Sequence, residues 1–243
     1  MSKSLIGHTI IQLDSIDSTN NYALIEFKEG RISSGTIIQA KVQTEGKGQR
    51  GKKWSSEPYA NLILSIVADL KQWNIKNIIS LNHITALAIQ RFLSQYTDKV
   101  KIKWPNDIMI NGKKVAGILI ENQLSSQQQK SVIGIGININ QTSFPIDRAT
   151  SLYLETDEIY QPKELVFELI ESYRGVLNEY HTKGEECIFN SFNENLWKRR
   201  EKHRFFIADE EFEGEVVTTT MQGQLVVEVE NELKLFLNGE VSY

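Results

Sequence analysis

The chain has 243 residues, which is enough for one large domain or for a large domain followed by a small one. Its hydrophobic fraction of 40%, charged fraction of 24% and net charge of −4 are typical of a water-soluble globular protein. These values argue against a nucleic-acid-binding protein, which is usually basic overall. We therefore expect no DNA partner.

Cysteine, histidine and hydropathy patterns narrow the class further. No apolar run approaches the length of a membrane span, and the N-terminus lacks a secretory segment. Cys187 is the single cysteine, so a disulfide framework is excluded and a reducing compartment is expected. The four histidines lack ligand spacing, which predicts no protein-bound zinc. The sequence thus predicts a cytoplasmic protein without a membrane partner.

A polar segment follows the first predicted strand, which covers residues 9–13. Ser18, Thr19 and Asn20 precede an apolar helical stretch, and small polar residues at that place are typical of a helix N-cap. The alternative is that these hydroxyls and this amide face a small ligand where strand meets helix. Residues 36–42 are predicted to form the next strand.

Residues 43–54, which we call the glycine loop, contain three glycines, four basic side chains and Trp54. Glycine lets the backbone approach a ligand closely, basic groups attract phosphate, and tryptophan offers a face on which a base stacks. The glycines match two nucleotide-binding fingerprints, but both fingerprints require a helix directly afterwards. Here Pro58 and an apolar β-prone run follow, which indicate a loop and a strand, so we reject both fingerprints. We interpret the loop as a cover over a phosphate-bearing ligand. A solvated basic turn is the alternative.

The middle of the chain alternates strand and helix patterns. Residues 61–69 form an apolar strand, and residues 77–96 carry apolar side chains at helical spacing. Residues 100–104 alternate apolar and basic side chains, which indicates a strand with one wet face. The pattern predicts a sheet covered by an amphipathic helix.

A hairpin is predicted next. The pair Asn111-Gly112 is a type I′ turn signal between residues 108–110 and residues 113–121. Lys114 lies inside the second, apolar run, where a charge is costly unless an anion meets it. The alternative is a lysine that extends to water at a sheet edge.

Two glycines interrupt a further strand, residues 131–140. Gly134 and Gly136 indicate close approach by a ligand or another backbone, and Asn138 offers an amide at the strand end. Residues 141–159 are predicted to form a loop.

The last third changes from helix to strand. Residues 162–180 and 184–200 are predicted helices, and four short β-prone runs follow. Short strands at this spacing predict a small barrel or sandwich. We therefore divide the chain into domains at residues 1–200 and 201–243.

Five motifs occur in a fixed order along nearly the whole chain, and the most distinctive is Lys-Trp-Pro-Asn-Asp. They are Asp17-Ser18-Thr19-Asn20, Gly46-Lys47-Gly48-Gln49-Arg50-Gly51 with Trp54, Lys103-Trp104-Pro105-Asn106-Asp107, Lys114 to Glu121, and Gly134-Ile135-Gly136-Ile137-Asn138. Together they resemble the biotin protein ligases, in the short class that lacks an N-terminal DNA-binding domain.

The resemblance implies an α/β (α+β) catalytic domain with a central mixed β-sheet flanked by helices, and a small C-terminal SH3-like β-barrel. It implies two half-reactions: biotin and ATP form biotinyl-5′-AMP and pyrophosphate, and the adenylate then acylates a lysine of a biotin carboxyl carrier protein, as in acetyl-CoA carboxylase. Biotin and ATP are thus expected substrates, and Mg²⁺ accompanies ATP through ligands that no motif reveals. Homodimers occur in this family.

The resemblance also implies site residues. Lys114 holds carboxylate and α-phosphate oxygens, Lys103 stabilises phosphate charge, and Asp107 orients a lysine or receives a proton. The implied catalytic residues are Lys114, Lys103, Asp107 and Arg50. The implied biotin-binding residues are Ser18, Thr19, Asn20, Gln43, Gly46, Lys47, Gly48, Gln49, Lys114, Gly117 and Gly134. The implied ATP-binding and adenylate-binding residues are Lys47, Arg50, Trp54, Lys103, Asn106 and Asn138.

The glycine loop departs from the family pattern Gly-Arg-Gly-Arg-Arg-Gly at two positions. Lys47 keeps the charge but loses the bidentate guanidinium, and Gln49 loses the charge. The family residue at the position of Gln49 helps to retain the adenylate. We therefore expect weakened retention unless Arg50 compensates.

Two other functions compete with biotin ligation. A lipoate or octanoate protein ligase shares the fold and the adenylation chemistry, but the Lys-Trp-Pro-Asn-Asp motif and the C-terminal β domain favour biotin. A single-strand nucleic-acid-binding protein would use the basic loop with Trp54 and Trp104 as stacking platforms. The acidic balance argues against that function.

Overall fold

The computed structural model describes residues 5–124, 129–145, 147–208 and 210–243. The strands are β1 (Ile10–Ile16), β2 (Ile37–Gln43), β3 (Leu62–Asp69), β4 (Val100–Lys103), β5 (Asp107–Ile110), β6 (Lys113–Leu124), β7 (Gln129–Ile137), β8 (Lys202–Ile207), β9 (Glu210–Thr219), β10 (Leu225–Val229) and β11 (Glu232–Phe236). The helices are α1 (Thr19–Lys28), α2 (Ile78–Leu93), α3 (Leu152–Thr156), α4 (Pro162–Lys183) and α5 (Glu185–Glu194). Within these ranges no helix is both long and apolar enough to cross a membrane.

The main sheet has seven strands in the order β1-β2-β3-β7-β6-β5-β4. β1 and β2 are parallel, whereas the other neighbours pair antiparallel, so the sheet is mixed as expected. β7 is central and pairs with β3 on one side and β6 on the other. The two glycines of β7 therefore lie in the middle of the sheet.

Helices cover both faces of this sheet. On one face α2 packs against β4, β5 and β6, α4 packs against α2 and β3, and α5 packs against both helices. On the other face α1 buries Ala23 and Phe27 against Ile38, Val67 and Val132. The sheet therefore has helices on both faces.

Local signals in the sequence are reproduced at the turns and caps. The Ser18 hydroxyl accepts a hydrogen bond from the Asn21 backbone N–H (3.5 Å) and caps α1. Asn111 and Gly112 both have positive φ, 51° and 77°, which confirms the predicted type I′ turn between β5 and β6.

The C-terminal sheet has four antiparallel strands in the order β11-β10-β9-β8. The predicted small β domain is therefore present, but as an open four-stranded sheet and not as a closed barrel. After β11 the chain returns to β8, where Ser242 and Phe206 exchange backbone hydrogen bonds of 2.9 and 3.0 Å. The sheet joins the rest of the fold through the Trp104 indole N–H, which donates to the Gly223 carbonyl (3.0 Å).

Two predicted element lengths were wrong. The helix predicted over residues 184–200 ends at Glu194, because the Asn195 carbonyl and the Trp197 N–H bond to Ile102 at the edge of β4 (2.9 and 2.7 Å). The loop predicted over residues 141–159 contains α3, whose first turn is capped by the Ser151 hydroxyl. The early end of α5 depends on contacts that are distant in sequence, whereas α3 begins at a local cap that the sequence analysis did not identify.

Candidate active site

A cleft lies where the N-terminus of α1, the glycine loop and strands β6 and β7 meet. It brings together twelve of the residues that the sequence predicts for ligand binding. They are Ser18, Thr19, Asn20, Gln43, Lys47, Gly48, Gln49, Trp54, Asn106, Lys114, Gly117 and Gly134. Segments that are far apart in the chain thus converge on one concave site.

One end of the cleft is polar, and its hydrogen bonds fix the orientation of an amide. The Thr19 backbone N–H donates to Gln43 Oε1 (2.9 Å), and the Thr19 hydroxyl donates to the same oxygen (3.2 Å). An N–H can only donate, so this oxygen must face Thr19 and the Gln43 Nε2 group must face the other way, toward Gly46. The pocket end therefore presents a hydroxyl and an amide donor in a fixed arrangement.

Behind this end lies a buried network that the sequence analysis missed. The Ser65 hydroxyl, fully buried on β3, lies 2.8 Å from Thr19 Oγ1 and 2.5 Å from Asn20 Oδ1. Asn20 Nδ2 in turn donates to Glu121 Oε2 (2.7 Å). The available sequence signal was Ser65 itself, a hydroxyl in the middle of an otherwise apolar strand. The network holds Thr19 and Asn20 in place from below.

The floor of the cleft requires glycine. A Cβ at Gly134 would lie 2.5 Å from Asn20 Oδ1, and a Cβ at Gly136 would lie 2.5 Å from Trp54 Cε2. A Cβ at Gly117 would lie 3.1 Å from Trp54 Cζ3. The missing side chains let Asn20 and the tryptophan ring lie directly against the sheet.

Lys114 and Asp107 form an ion pair at the other end of the cleft. The Lys114 Nζ atom lies 2.5 Å from Asp107 Oδ1, and their side chains are only 29% and 25% exposed. The contact is an ion pair without a hydrogen bond, because Asp107 Oδ1 has no hydrogen-bond partner. The same Nζ atom lies 5.5 Å from the centre of the Trp54 ring. This end therefore combines a cation, an anion and an aromatic face.

Lys103 lies in a separate aromatic environment. Its Nζ atom is 5.2 Å from the Trp197 ring centre and 4.9 Å from the Tyr243 ring centre, and it donates to the Tyr243 main-chain carbonyl. Burial lowers the pKa of the Lys103 ammonium, and the negative charge of Asp107 opposes that shift. Lys103 does not line the cleft, so its role toward phosphate stays a prediction.

Four more predicted site residues lie outside the cleft lining. Asp107 reaches the site through Lys114, and the Gly46 carbonyl closes the base of the glycine loop by accepting from the Trp54 N–H (2.9 Å). Asn138 is buried, and its amide donates to the Thr150 carbonyl (2.9 Å). The Arg50 guanidinium donates to the Asn238 main-chain carbonyl in the C-terminal sheet. The roles assigned to them remain predictions.

Comparison with known proteins agrees with this geometry. Residues 13–138 match the Biotin/lipoate A/B protein ligase family. The chain is 30% identical to the Bifunctional ligase/repressor BirA of Escherichia coli, over 98% of this chain and 75% of the relative. It is 35% identical to the Biotin–[acetyl-CoA-carboxylase] ligase of Paracoccus denitrificans, over 51% of each chain.

The fold and the cleft define an enzyme of the adenylating protein-ligase class, and the chain belongs to the biotin/lipoate A/B protein ligase family. Within that class, it is similar to the solved biotin protein ligase from Aquifex aeolicus in complex with biotin and ATP. The TM-score is 0.81 at 29% identity, over 97% of this chain and 98% of that one.

Proposed function

We propose that the protein activates biotin with ATP and transfers it to a lysine of a biotin carboxyl carrier protein. The observation that carries this proposal is the position of Lys114, which lies beside the face of Trp54 in the same cleft as the polar pocket end. A small acid bound at the polar end and a nucleotide stacked on the tryptophan would both place oxygen atoms beside this ammonium.

The first half-reaction joins two anions. A biotin carboxylate oxygen attacks the α-phosphorus of ATP, the bond from that phosphorus to the β-bridging oxygen breaks, and pyrophosphate leaves with the electron pair. Lys114 neutralises charge on the carboxylate and the α-phosphate, and Asp107 keeps the ammonium in position until the ligands arrive. Positioning and charge neutralisation are the main requirements of this step.

The second half-reaction consumes the adenylate. The neutral amine of a carrier lysine attacks the acyl carbon, AMP leaves with the electron pair of its phosphate oxygen, and the amine loses one proton. We assign Asp107 as the group that receives this proton or orients the amine, because it is the carboxylate in contact with Lys114. The carrier lysine must therefore enter at the Lys114 end of the cleft.

Mg²⁺ belongs in this scheme as part of the ATP substrate. Across the parts of the chain that the structure describes, no group of three or more His, Cys, Asp and Glu side chains is arranged to hold a metal ion. Mg²⁺ keeps most of its waters and is commonly held by substrate phosphates with few protein ligands, so we propose that the ion arrives bound to the phosphates. We also propose a cytoplasmic location, where ATP is abundant and Cys187 stays reduced.

The chemistry of the pocket end favours biotin over lipoate. The ureido ring of biotin carries N–H donors and a carbonyl acceptor, which suit the Thr19 hydroxyl and the Gln43 amide. The dithiolane ring of lipoate offers neither, so it cannot accept a hydrogen bond from the Gln43 Nε2 group, whose partner oxygen is already bonded to Thr19.

The nucleic-acid alternative loses one of its two stacking platforms. Trp104 is 5% exposed, and its indole N–H is bonded to the Gly223 carbonyl (3.0 Å), so a base cannot stack on it. The interpretation of Trp104 as a stacking platform was therefore wrong.

The test is biotin-dependent exchange of labelled pyrophosphate into ATP, with lipoate and octanoate measured in parallel. We expect exchange with biotin but not with lipoate or octanoate. When a carrier domain is added, we expect it to become labelled with biotin. Exchange with lipoate and none with biotin would assign the protein to the other branch of its family. Salt-sensitive binding of oligonucleotides without any exchange would overturn the proposal.

A further inference from the structure

The tip of the glycine loop is attached to the C-terminal sheet. Arg50 has a left-handed conformation (φ 56°), and its guanidinium donates to the main-chain carbonyl of Asn238. The Asn238 side-chain amide returns to the loop and donates to Gln49 Oε1 (3.1 Å). Two consecutive loop residues thus contact a single residue of the turn that follows β11.

The neighbouring glycine makes this contact close. Gly239 has φ 83°, and a Cβ at that position would lie 1.4 Å from Arg50 Nη1. Only glycine leaves room for the guanidinium to lie over the turn. Arg50 is therefore committed to the C-terminal sheet, and Gln49 is the residue of the pair that lines the cleft.

The hydrogen bond from Asn238 determines what Gln49 offers to a ligand. An amide oxygen that accepts from Asn238 leaves the Gln49 Nε2 group, with two N–H donors, free for the cleft. Adjacent positive charge from Arg50 favours the Asn238 oxygen on its own side and the Asn238 nitrogen toward Gln49. A bound acyl-adenylate presents phosphate and acyl oxygens, which accept from such donors.

We propose that Asn238 is a positioning residue that fixes the Gln49 amide with its N–H groups toward the bound acyl-adenylate. Retention of this intermediate then depends on a contact between the C-terminal sheet and the glycine loop. The contact supplies, through a neutral amide, the hold that a cationic side chain at position 49 would supply by charge. This inference rests on the proposed function and names how the intermediate is kept in the site.

The experiment measures the dissociation of biotinyl-AMP. The full chain is loaded with biotin and α-labelled ATP without a carrier, freed of unbound nucleotide and mixed with excess unlabelled biotinyl-AMP. We compare the unaltered protein with Asn238→Ala, Asn238→Asp and the matched control Asn178→Ala, an exposed asparagine of α4. Thermal unfolding of each variant confirms that it folds.

We expect Asn238→Ala to release the adenylate roughly tenfold faster, since one oriented hydrogen bond is lost. Asn238→Asp should release it faster still, because a carboxylate accepts from Gln49 Nε2 and turns the Gln49 oxygen toward the ligand. Asn178→Ala should match the unaltered protein. Gly239→Ala, which displaces Arg50, provides a second variant and should also accelerate release.

A double variant separates orientation from general loosening. In a Gln49→Arg background, the charge of the introduced arginine would retain the adenylate. Adding Asn238→Ala to this background should therefore change the dissociation rate less than about twofold. Equal rates for Asn238→Asp and the unaltered protein, or equal acceleration in both backgrounds, would overturn the inference. Failure of the unaltered protein to form any labelled adenylate would instead refute the proposed function.

Discussion

The Lys114 ammonium lies 2.5 Å from the Asp107 carboxylate, across the antiparallel pair formed by β5 and β6. Both side chains are mostly buried, so neither charge is well solvated. An incoming pair of anions would compete with Asp107 for the ammonium. We therefore propose that the pair is a resting arrangement that substrates rearrange.

Loss of the ammonium should abolish the first half-reaction. We expect Lys114→Ala to lower biotin-dependent pyrophosphate exchange by at least about 100-fold, because Lys47, the other cation of the cleft lining, is bonded to Asn21 Oδ1 (2.5 Å). Lys101→Ala, which removes an exposed lysine of β4, is the matched control and should retain full exchange. Normal pyrophosphate release by Lys114→Ala would refute the assigned role.

Substitution of the two glycines on the cleft floor should affect the binding of biotin and of ATP differently. In Gly134→Ala the new methyl group meets Asn20, so we expect KM for biotin to rise roughly tenfold or more while KM for ATP changes little. In Gly136→Ala it meets the Trp54 ring, so KM for ATP should rise instead. Gly175→Ala in α4, where a Cβ meets nothing within 4 Å, is the control. Identical effects of both floor variants on both substrates would contradict these assignments.

Removal of the Ser65 hydroxyl should weaken biotin binding indirectly, because Ser65 acts through Thr19 and Asn20 and not through contact with biotin. Ser65→Ala leaves Thr19 and Asn20 without their common buried partner, so we expect KM for biotin to rise about tenfold at nearly unchanged kcat. Steady-state kinetics with biotin and ATP varied separately will test this. Ser191→Ala, in α5, should behave like the unaltered protein, and a selective effect of Ser65→Ala on ATP would exclude the positioning role.

Acid should destabilise the protein partly through His83. This side chain is 5% exposed, its ring centre is 4.1 Å from that of Phe192, and burial lowers its pKa from 6.5 to about 4. Between these pH values the unfolded chain binds a proton that the folded protein does not, so the free energy of unfolding falls as pH falls from 6.5 to 4. The His83 contribution to that fall is up to about 3 kcal/mol.

Urea unfolding at a series of pH values measures this dependence. His83→Phe should have a shallower fall over the same range, since the remaining acid sensitivity comes from carboxylates such as Glu179, whose pKa the bound Lys183 and Arg91 lower to about 2. That carboxylate loses its stabilising effect only as pH falls from its usual pKa toward 2. An unchanged slope in His83→Phe would show that the histidine is already charged in the folded protein.

Short-range patterns were sufficient for most of the fold, whereas the residues of the cleft lining were predicted from the family resemblance. The alternation of residues 100–104 and the apolar run of residues 61–69 located β4 and β3 to within one residue at each end. The Asn-Gly pair fixed the hairpin turn, because positive φ at two positions is a local requirement. Twelve of the residues that line the cleft were named because the five motifs resemble those of the biotin protein ligases.

Contacts between distant segments could not be read in this way. Lys103 donates to a carbonyl 140 residues away, and Arg50 donates to one 188 residues away. The sequence near Lys103 and Arg50 does not indicate which group will accept a hydrogen bond from either side chain. Glu121 similarly becomes a partner of Asn20 only when α1 is laid over β2, β3 and β7.

The central position of β7 has a mechanical consequence. Its backbone is bonded to β3 along one edge and to β6 along the other, so amide hydrogens of Gly134 and Gly136 should exchange with solvent only when the whole sheet opens. A ligand bound on these glycines, as proposed for biotin, would therefore meet a surface that does not yield. Any change of shape on ligand binding is therefore expected in the glycine loop that covers this surface.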